Sequence, residues 1–277
     1  MSEFPLQKHI RIGVTGPAGR LGSTLVDLGC IPIRANITSF DDLLQAVQKQ
    51  PLDIIVHAAA YTDVDKAEEE PETAFLVNAR GTANVRDSFF GPVVYVSTDY
   101  VFDGISGPYT EAAEPNPLGW YGHSKLAGES MLAISDVIVR TTALYGNPRR
   151  DDFVKRILAQ YRSGKHFSVT DEVSGNPTHV YMLAQGIIRI CSLIVEKKEY
   201  PRIINIAGRD VCTRYQFARI VGEVFHQNVE LCQVGEIHIK GAARPRLGGL
   251  AVHLADSLGI PLGGIKAGLK KYREALR

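Results

Sequence analysis

The segment that decides the fold reads IRIGVTGPAGRLG and spans residues 10–22. Residues 10–15 are a short run rich in isoleucine and valine, which is typical of a buried parallel strand. Glycines with the spacing Gly-x-x-Gly-x-x-Gly follow, and an amphipathic helix is predicted from Arg20 onward. Such glycines let the backbone turn tightly and approach a pyrophosphate, whose charge is met by amides at the helix N-terminus. The order strand, glycine loop, helix therefore favours a dinucleotide site over an ordinary turn.

Apolar runs of strand length alternate with amphipathic segments after this loop. Strands are predicted at residues 10–15, 53–58, 93–97 and 136–140, with a short second strand at 30–34. Helices long enough for a right-handed crossover are predicted at residues 20–28, 40–49, 72–90 and 120–134. This alternation predicts an α/β fold with a doubly wound parallel sheet of the Rossmann type.

The character of the sequence changes after Tyr145. Helices of mixed polarity and shorter apolar pieces occupy residues 152–162, 180–195, 202–207 and 213–226, and loops are predicted at 146–150 and 241–249. A chain of 277 residues suggests one large domain or two closely connected ones. We predict a dinucleotide-binding domain over residues 1–146, with segments near 178–210 returning to it. A smaller, interwoven lobe over residues 147–277 is predicted to bind mainly the substrate.

Charge and apolar content exclude several classes of protein. Because 31 basic residues stand against 30 acidic ones, no nucleic-acid partner and no attraction to an anionic membrane are predicted. The first residues lack the longer apolar region of a signal peptide, and no later stretch approaches the ~20 apolar residues of a membrane span. We therefore expect a cytoplasmic protein.

Cysteine and histidine spacing gives no sign of a metal centre. The four cysteines are widely separated, at Cys30, Cys191, Cys212 and Cys232, with no Cys-x-x-Cys pair and no histidine at ligand spacing. We interpret them as packed thiols in a reducing compartment and predict no metal.

A tyrosine and a lysine in the helix predicted at residues 120–134 carry the chemistry. Tyr121 and Lys125 are four residues apart, so a helix places both on one face. An ammonium beside a phenol lowers the pKa of the phenol from its usual ~10 toward working pH. Thr98, at the end of a predicted strand, supplies a hydroxyl that would complete a proton-transfer site. Chance places such pairs on many solvated helices, so the hypothesis depends on Thr98 and the glycine loop standing with them.

Several motifs together carry a family resemblance. The chain resembles the extended short-chain dehydrogenase/reductase superfamily, and within it most resembles the dTDP-4-dehydrorhamnose reductases. The resemblance covers nearly the whole chain and rests on residues 16–22, 57–68, 77–79, 97–104 and 121–129, with weaker matches at 175–178 and 244–245.

The resemblance implies an NAD(P)H-dependent oxidoreductase of dTDP-rhamnose biosynthesis. A reduced nicotinamide would deliver hydride to the C4 carbonyl of a nucleotide-linked 4-keto-6-deoxy sugar. By resemblance, Tyr121 donates the proton, Lys125 holds the nicotinamide ribose and lowers the pKa of the tyrosine, and Thr98 hydrogen-bonds the reacting oxygen.

The implied cofactor is NADPH or NADH. Arg34 and Asn36 follow the second strand, where a residue usually reads the adenosine ribose. Arg20 and Arg34 suit a 2′-phosphate, which favours NADPH, although either is otherwise an ordinary solvated arginine. Residues 58–60 are small enough for a cofactor to lie against backbone, or else mark a tightly packed strand end. Besides Tyr121 and Lys125, the residues expected to bind the cofactor are Gly16, Gly19, Arg20, Leu21, Gly22, Arg34, Asn36, Ala58, Ala59, Ala60 and Thr62.

Three residues, Tyr100, Ala143 and Arg244, are expected to bind the nucleotide sugar. Ala143 stands where family members usually place a tryptophan, so the aromatic wall against the sugar is absent and the sugar stays unnamed. Tyr100 is interpreted as a sugar contact or a packed tyrosine. Arg244 is interpreted as a ligand of a sugar-nucleotide phosphate or as part of a basic, solvent-facing loop.

Other activities on the same scaffold stay open at this point. A dehydratase would carry an Asp-Glu pair after Thr98, but Tyr100 follows Asp99 here, so elimination of water is disfavoured. A sugar-nucleotide epimerase needs the same tyrosine and lysine. A non-catalytic dinucleotide-binding subunit, like the regulatory β subunit of methionine adenosyltransferase, has the same fold. The sequence also leaves open a homodimer.

Overall fold

The structure, a computed structural model, describes residues 10–235 and 241–276. The elements of the first half are β1 (Ile12–Thr15), α1 (Arg20–Asp27), β2 (Ile31–Ile33), α2 (Phe40–Gln48), β3 (Ile54–His57), α3 (Val64–Glu69), α4 (Pro71–Phe75), a π-helical turn (Leu76–Arg80), α5 (Gly81–Ser88), β4 (Val93–Thr98), a 3-10 turn (Asp99–Val101), α6 (Trp120–Ser130), β5 (Val137–Thr141) and β6 (Leu144–Tyr145). Those of the second half are α7 (Phe153–Arg162), β7 (Phe167–Thr170), β8 (Ser174–Gly175), β9 (Thr178–His179), α8 (Val180–Val195), β10 (Ile203–Asn205), β11 (Cys212–Thr213), α9 (Arg214–Val224), a 3-10 turn (Val229–Leu231), β12 (Cys232–Gly235), α10 (His253–Ser257) and α11 (Ile265–Ala275).

Six parallel strands form the central sheet in the order β10-β5-β4-β3-β1-β2. The predicted doubly wound α/β fold is confirmed. After β2 the chain crosses to the other side of β1, so the strand order reverses between β1 and β3. Open α/β sheets bind ligands at the carboxyl ends of the strands beside such a reversal. The register places Thr15 opposite His57, and Thr98 opposite Thr141, at that edge.

The prediction of a single helix over residues 72–90 is wrong. The chain instead forms α4, the π turn and α5, which ends at Ser88. Asn78 lies in the π turn, and its side chain exchanges two hydrogen bonds with the backbone of Tyr61. This contact spans 17 residues, so the local helical pattern could not reveal it. π turns inside α-helices occur frequently at functional sites.

The second half both completes the sheet and builds its own core. The apolar piece predicted at residues 202–207 forms β10, which pairs with β5, and α8 packs against α1. A separate cluster of buried side chains lies around Tyr145, Leu158, Phe217 and Tyr272. The predicted loops at 146–150 and 241–249 lack regular helix or strand. The boundary at residue 146 stays a prediction.

The apolar helix α8 is the longest described, yet its 16 residues are too few to cross a bilayer. Within residues 10–235 and 241–276, no helix has both the length and the apolar character that a membrane span requires.

A buried ion pair joins α6 to β5. Arg140 donates from Nε to Glu129 Oε1 at 3.0 Å and from Nη2 to Oε2 at 2.7 Å, and both side chains are at most 6% exposed. The Arg140 guanidinium also lies over the Phe102 ring, 5.0 Å from its centroid. Removing one partner of such a pair leaves the other charge unpaired in the core.

Glu129→Ala is expected to lower the free energy of unfolding by about 3–5 kcal/mol because Arg140 loses its counterion. The matched control is Glu172→Ala, which removes an exposed partner of Arg246 and should cost at most about 1 kcal/mol. Denaturant unfolding of both variants measures the difference. Equal small losses would show that the buried pair contributes no more than the exposed one.

Candidate active site

The glycine loop packs directly against the end of β3. Gly16 has φ +65°, and a Cβ there would lie 2.7 Å from the Cα of Ala59. A Cβ at Gly22 would collide with the carbonyl of Gly16. Gly19 precedes α1 and provides no side-chain cap, so the first-turn amides of that helix are left for another acceptor. The loop thus forms a backbone cradle that side chains would fill.

A buried histidine holds the end of β3 in place. His57 Nδ1 hydrogen-bonds Thr15 Oγ1 at 2.7 Å, and Nε2 hydrogen-bonds Thr82 Oγ1 at 3.1 Å. Burial, together with nearby Lys125, lowers the pKa of His57 to about 3, so the ring is neutral at neutral pH. Thr15 Oγ1 also accepts the amide of Ala59, at 3.2 Å. The sequence gives no signal for this role of His57, because its partners Thr15 and Thr82 lie on other elements.

Thr98 and Tyr121 meet where β4 ends and α6 begins. Both are less than a tenth exposed, and Tyr100 lies edge-on to the Tyr121 ring with centroids 5.4 Å apart. Gly122 allows this approach, since a Cβ there would clash with the carbonyl of Tyr100. Lys125, one turn along α6, is buried and donates from Nζ to the carbonyl of Val96 at 2.8 Å. The structure therefore brings Thr98, Tyr121 and Lys125 to one place.

The pKa of Tyr121 differs in direction from the sequence-based expectation. Burial raises that pKa above its usual range, while a hydrogen bond with Thr98 lowers it in part and Tyr100 and Asp99 raise it further. The ammonium of Lys125 does not offset this, because it is directed at Val96 and lies 4.1 Å from the centroid of the Tyr95 ring. Burial lowers the pKa of Lys125 itself to about 7, opposed by Glu129.

Asp99 is a buried carboxyl group that the sequence analysis left without a role. Thr142 donates from Oγ1 to Asp99 Oδ2 at 2.6 Å, and Thr98 donates to Oδ1 at 3.2 Å. Burial raises the pKa of Asp99 to about 6, although both hydrogen bonds oppose the shift. In the sequence, the position of Asp99 directly after Thr98 is the signal that could have identified it as a site residue. Its partner Thr142 follows β5 and is distant in the chain, so the sequence could not show this contact.

Arg20 and Arg34 are directed differently. Arg20 donates from Nη2 to the carbonyl of Asp151 at 2.6 Å, so its guanidinium is turned toward the second half of the chain. Arg34 is exposed after the end of β2. Asn36 Oδ1 accepts bonds from the amide and hydroxyl of Thr38, which makes it a turn residue before α2. Among the remaining cofactor candidates, Leu21 is buried, Ala58, Ala59 and Ala60 are half-buried, and Thr62 is exposed. The backbone of Ala58 and Ala59 lies against Gly16.

Two of the three substrate candidates adjoin the site, since Tyr100 packs on Tyr121 and Arg244 hydrogen-bonds Tyr100. Arg244 is half-buried and donates both Nη2 hydrogen bonds to Asp65, at 2.7 and 2.8 Å. Both interpretations of Arg244 stay predictions. Tyr100 hydrogen-bonds Arg244, and burial raises the pKa of Tyr100. Ala143 is exposed and takes a left-handed conformation, φ 47°.

Among the described residues, no group of three or more His, Cys, Asp or Glu side chains is arranged to hold a metal ion.

Residues 10–277 match the family described as RmlD substrate binding domain. The chain belongs to this family. The RmlD match covers the cradle and the Thr98, Tyr121 and Lys125 cluster together, so the resemblance noted from the motifs is confirmed.

Several relatives of this RmlD family member are named dTDP-4-dehydrorhamnose reductase. The dTDP-4-dehydrorhamnose reductase of Mycolicibacterium smegmatis is 29% identical over 96% of this chain and 84% of its own length. That of Aggregatibacter actinomycetemcomitans is 33% identical over 75% of this chain and 76% of its own. The crystal structure of the Bacillus anthracis dTDP-4-dehydrorhamnose reductase in complex with NADP has a TM-score of 0.87 and 29% identity, covering 96% of this chain and 99% of that one.

Asp99→Asn is expected to change how stability depends on pH. Because the pKa of Asp99 is raised to about 6 in the folded protein from an ordinary ~3.9, the folded state keeps a proton that the unfolded state has released. The contribution of Asp99 to stability should therefore fall between about pH 4 and pH 6 and stay level above. Denaturant unfolding from pH 4 to 7.5 gives the free energy of unfolding of both proteins. The value for the wild type minus the value for the variant should show this fall. A difference independent of pH would contradict the burial of an ionisable carboxyl at this position.

Proposed function

We propose that this chain is an NADPH-dependent oxidoreductase that reduces the C4 carbonyl of a dTDP-linked 4-keto-6-deoxy sugar, with dTDP-4-dehydrorhamnose as the first candidate substrate. One observation carries the proposal. Thr98, Tyr121 and Lys125 converge at the carboxyl end of β4, at the same sheet edge as the glycine cradle. A proton donor and a dinucleotide site at one edge are what carbonyl reduction requires.

The cradle fits a dinucleotide. Gly16 and Gly22 leave space that a Cβ would occupy, and the first turn of α1 is uncapped. The hydroxyl of Ser97, buried beside Thr98 at the end of β4, has no protein partner in the described structure. Gly16, Gly19, Leu21 and Gly22 would hold the pyrophosphate, Ala58, Ala59, Ala60 and Thr62 would line the channel, and Lys125 would hold the nicotinamide ribose. The reduced nicotinamide supplies the hydride when bound.

NADPH is the proposed form of the cofactor. A carboxylate commonly follows the second strand when the ribose 2′-hydroxyl of NAD is recognised, and Arg34 stands there instead. Its guanidinium suits a 2′-phosphate, with Asn36 beside it as a turn residue. Arg20 is engaged by Asp151, so Arg34 is the better candidate for that contact.

Tyr121 is the proposed proton donor. The raised pKa of Tyr121 keeps the phenol protonated at neutral pH, as a donor to a developing alkoxide must be. Thr98 would hydrogen-bond the same oxygen and help to orient the carbonyl. The pKa of Lys125 is lowered to about 7, so both its charged and its neutral forms are present near neutral pH. An anionic group placed near Lys125 would favour the charged form.

Three residues are proposed for the sugar-nucleotide side. Tyr100 is edge-on to Tyr121 and would contact the sugar. Ala143, exposed in a left-handed turn, would leave room beside it. Arg244 is paired with Asp65 and hydrogen-bonds Tyr100, which supports a role in positioning Tyr100, with its remaining donors available to a phosphate.

The cytoplasmic location and the homodimer are also carried forward as proposals. All four cysteines are free thiols, and three of them are buried, which suits a reducing compartment. A homodimer is supported by exposed apolar side chains at Leu76, Trp120 and Met131 on and beside α6, since such residues often pack against a second copy.

Tyr121→Phe should reduce kcat by about 10²–10⁴-fold, because the positioned acid is lost. The Kd for NADPH should stay within about threefold, since the phenyl ring still fills the site. NADPH oxidation with dTDP-4-dehydrorhamnose measures the first quantity and fluorescence titration the second. Tyr100→Phe is the control and should raise KM for the sugar more than it lowers kcat. Full turnover in Tyr121→Phe would refute the assignment.

The same assay separates the other activities this scaffold supports. Interconversion of sugars without net oxidation of NADPH would indicate an epimerase. Absence of turnover with any 4-keto sugar nucleotide, despite tight NADPH binding, would indicate a regulatory subunit.

A further inference from the structure

A loop from the second half of the chain is docked on the glycine cradle. Asn147 is 2% exposed, and its Nδ2 lies 3.0 Å from the carbonyl of Arg20, 3.0 Å from Ser23 Oγ and 3.2 Å from Thr24 Oγ1. A buried amide with this set of partners fixes the loop on the first turns of α1. Residues 147–152 therefore lie against the beginning of α1, next to the glycine loop.

Two neighbouring arginines of this loop point to different ends of α1. Arg149 pairs with Asp27, at the carboxyl end of the helix. Arg150 donates from Nη2 to the carbonyl of Ala18, inside the glycine loop. Within residues 10–235 and 241–276, Arg150 forms no ion pair with a carboxylate. A cation thus lies against the cradle without a protein counterion.

The chemistry of this position favours a phosphate ligand. A guanidinium has five N–H donors in a planar fork, and the Ala18 carbonyl uses only one of those on Arg150. The amides at the start of α1 supply partial positive charge but no full charge. A dinucleotide diphosphate is a dianion, and a guanidinium can bind its oxygens with paired hydrogen bonds.

We propose that Arg150 is a ligand of the cofactor diphosphate, held at the cradle by Asn147. The identity of the ligand rests on the proposed function. Ala18 lies in the glycine loop rather than after β2, so the contact is to the diphosphate that NADPH and NADH share. Arg150 is therefore distinct from Arg34, which would act only on the 2′-phosphate.

Titration calorimetry of NADPH and NADH, without any sugar, tests this. Arg150→Ala should weaken the binding of both cofactors by about tenfold, the effect of about one charge-assisted hydrogen bond. Arg149→Ala is the matched control and should stay within about twofold, because its partner Asp27 is at the far end of α1. The proposal is overturned by unchanged binding in Arg150→Ala, by a loss confined to NADPH, or by an equal loss in Arg149→Ala.

A second variant keeps the loop in place. Arg150→Gln retains a donor for the Ala18 carbonyl and loses the charge, so it should show the same weakening with an unchanged Tm. Normal cofactor affinity in Arg150→Gln would overturn the proposal. In turnover, KM for NADPH should rise while kcat is retained. If the wild-type protein reduces no 4-keto sugar but the binding differences hold, the proposed reaction fails and the assignment of Arg150 stands.

Discussion

The close packing of α6 on the end of β4 is the constraint on which the site depends. Gly122 lies against the carbonyl of Tyr100, and Gly128 lies against the Asn78 carbonyl and the Tyr95 hydroxyl, with no space for a Cβ at either position. Lys125, between them, bonds the carbonyl of Val96 inside the interface. This approach sets Tyr121 beside Thr98. If α6 lay farther from β4 by the width of a side chain, Tyr121 and Thr98 could not both contact one substrate atom.

Burial by that packing also sets the electrostatics. It raises the pKa of Tyr121 and of Asp99 and lowers that of Lys125. In each case the shift favours the neutral form, as removal from water does. The buried Arg140–Glu129 pair lies next to this region, and Glu129 is the group that favours the charged form of Lys125. Burial thus brings the pKa values of Asp99 and Lys125 close to neutral pH, so the charge of a bound ligand can change the protonation of both groups.

Much of the fold could be predicted because its signals are local. The glycine spacing, the apolar strands and the amphipathic helices fixed the order of elements, and α8 was predicted at its observed bounds. The features that the sequence could not predict depend on contacts between residues that are distant in the chain. The π turn is accompanied by the Asn78–Tyr61 bonds, the partner of Arg244 is Asp65, and the pKa of Tyr121 depends on burial by several elements. The spacing of Tyr121 and Lys125 predicted that they share one helix face. It could not show that the Lys125 ammonium is directed at the carbonyl of Val96.

The central claim is that this site moves a hydride to a sugar carbonyl and a proton from Tyr121 to its oxygen. The most direct test supplies dTDP-4-dehydrorhamnose with NADPH that carries deuterium at both C4 positions of the nicotinamide. We expect one deuterium on C4 of the product sugar for each NADPH consumed, as measured by mass spectrometry and NMR. Product without deuterium, or sugar recovered unchanged while NADPH persists, would contradict it.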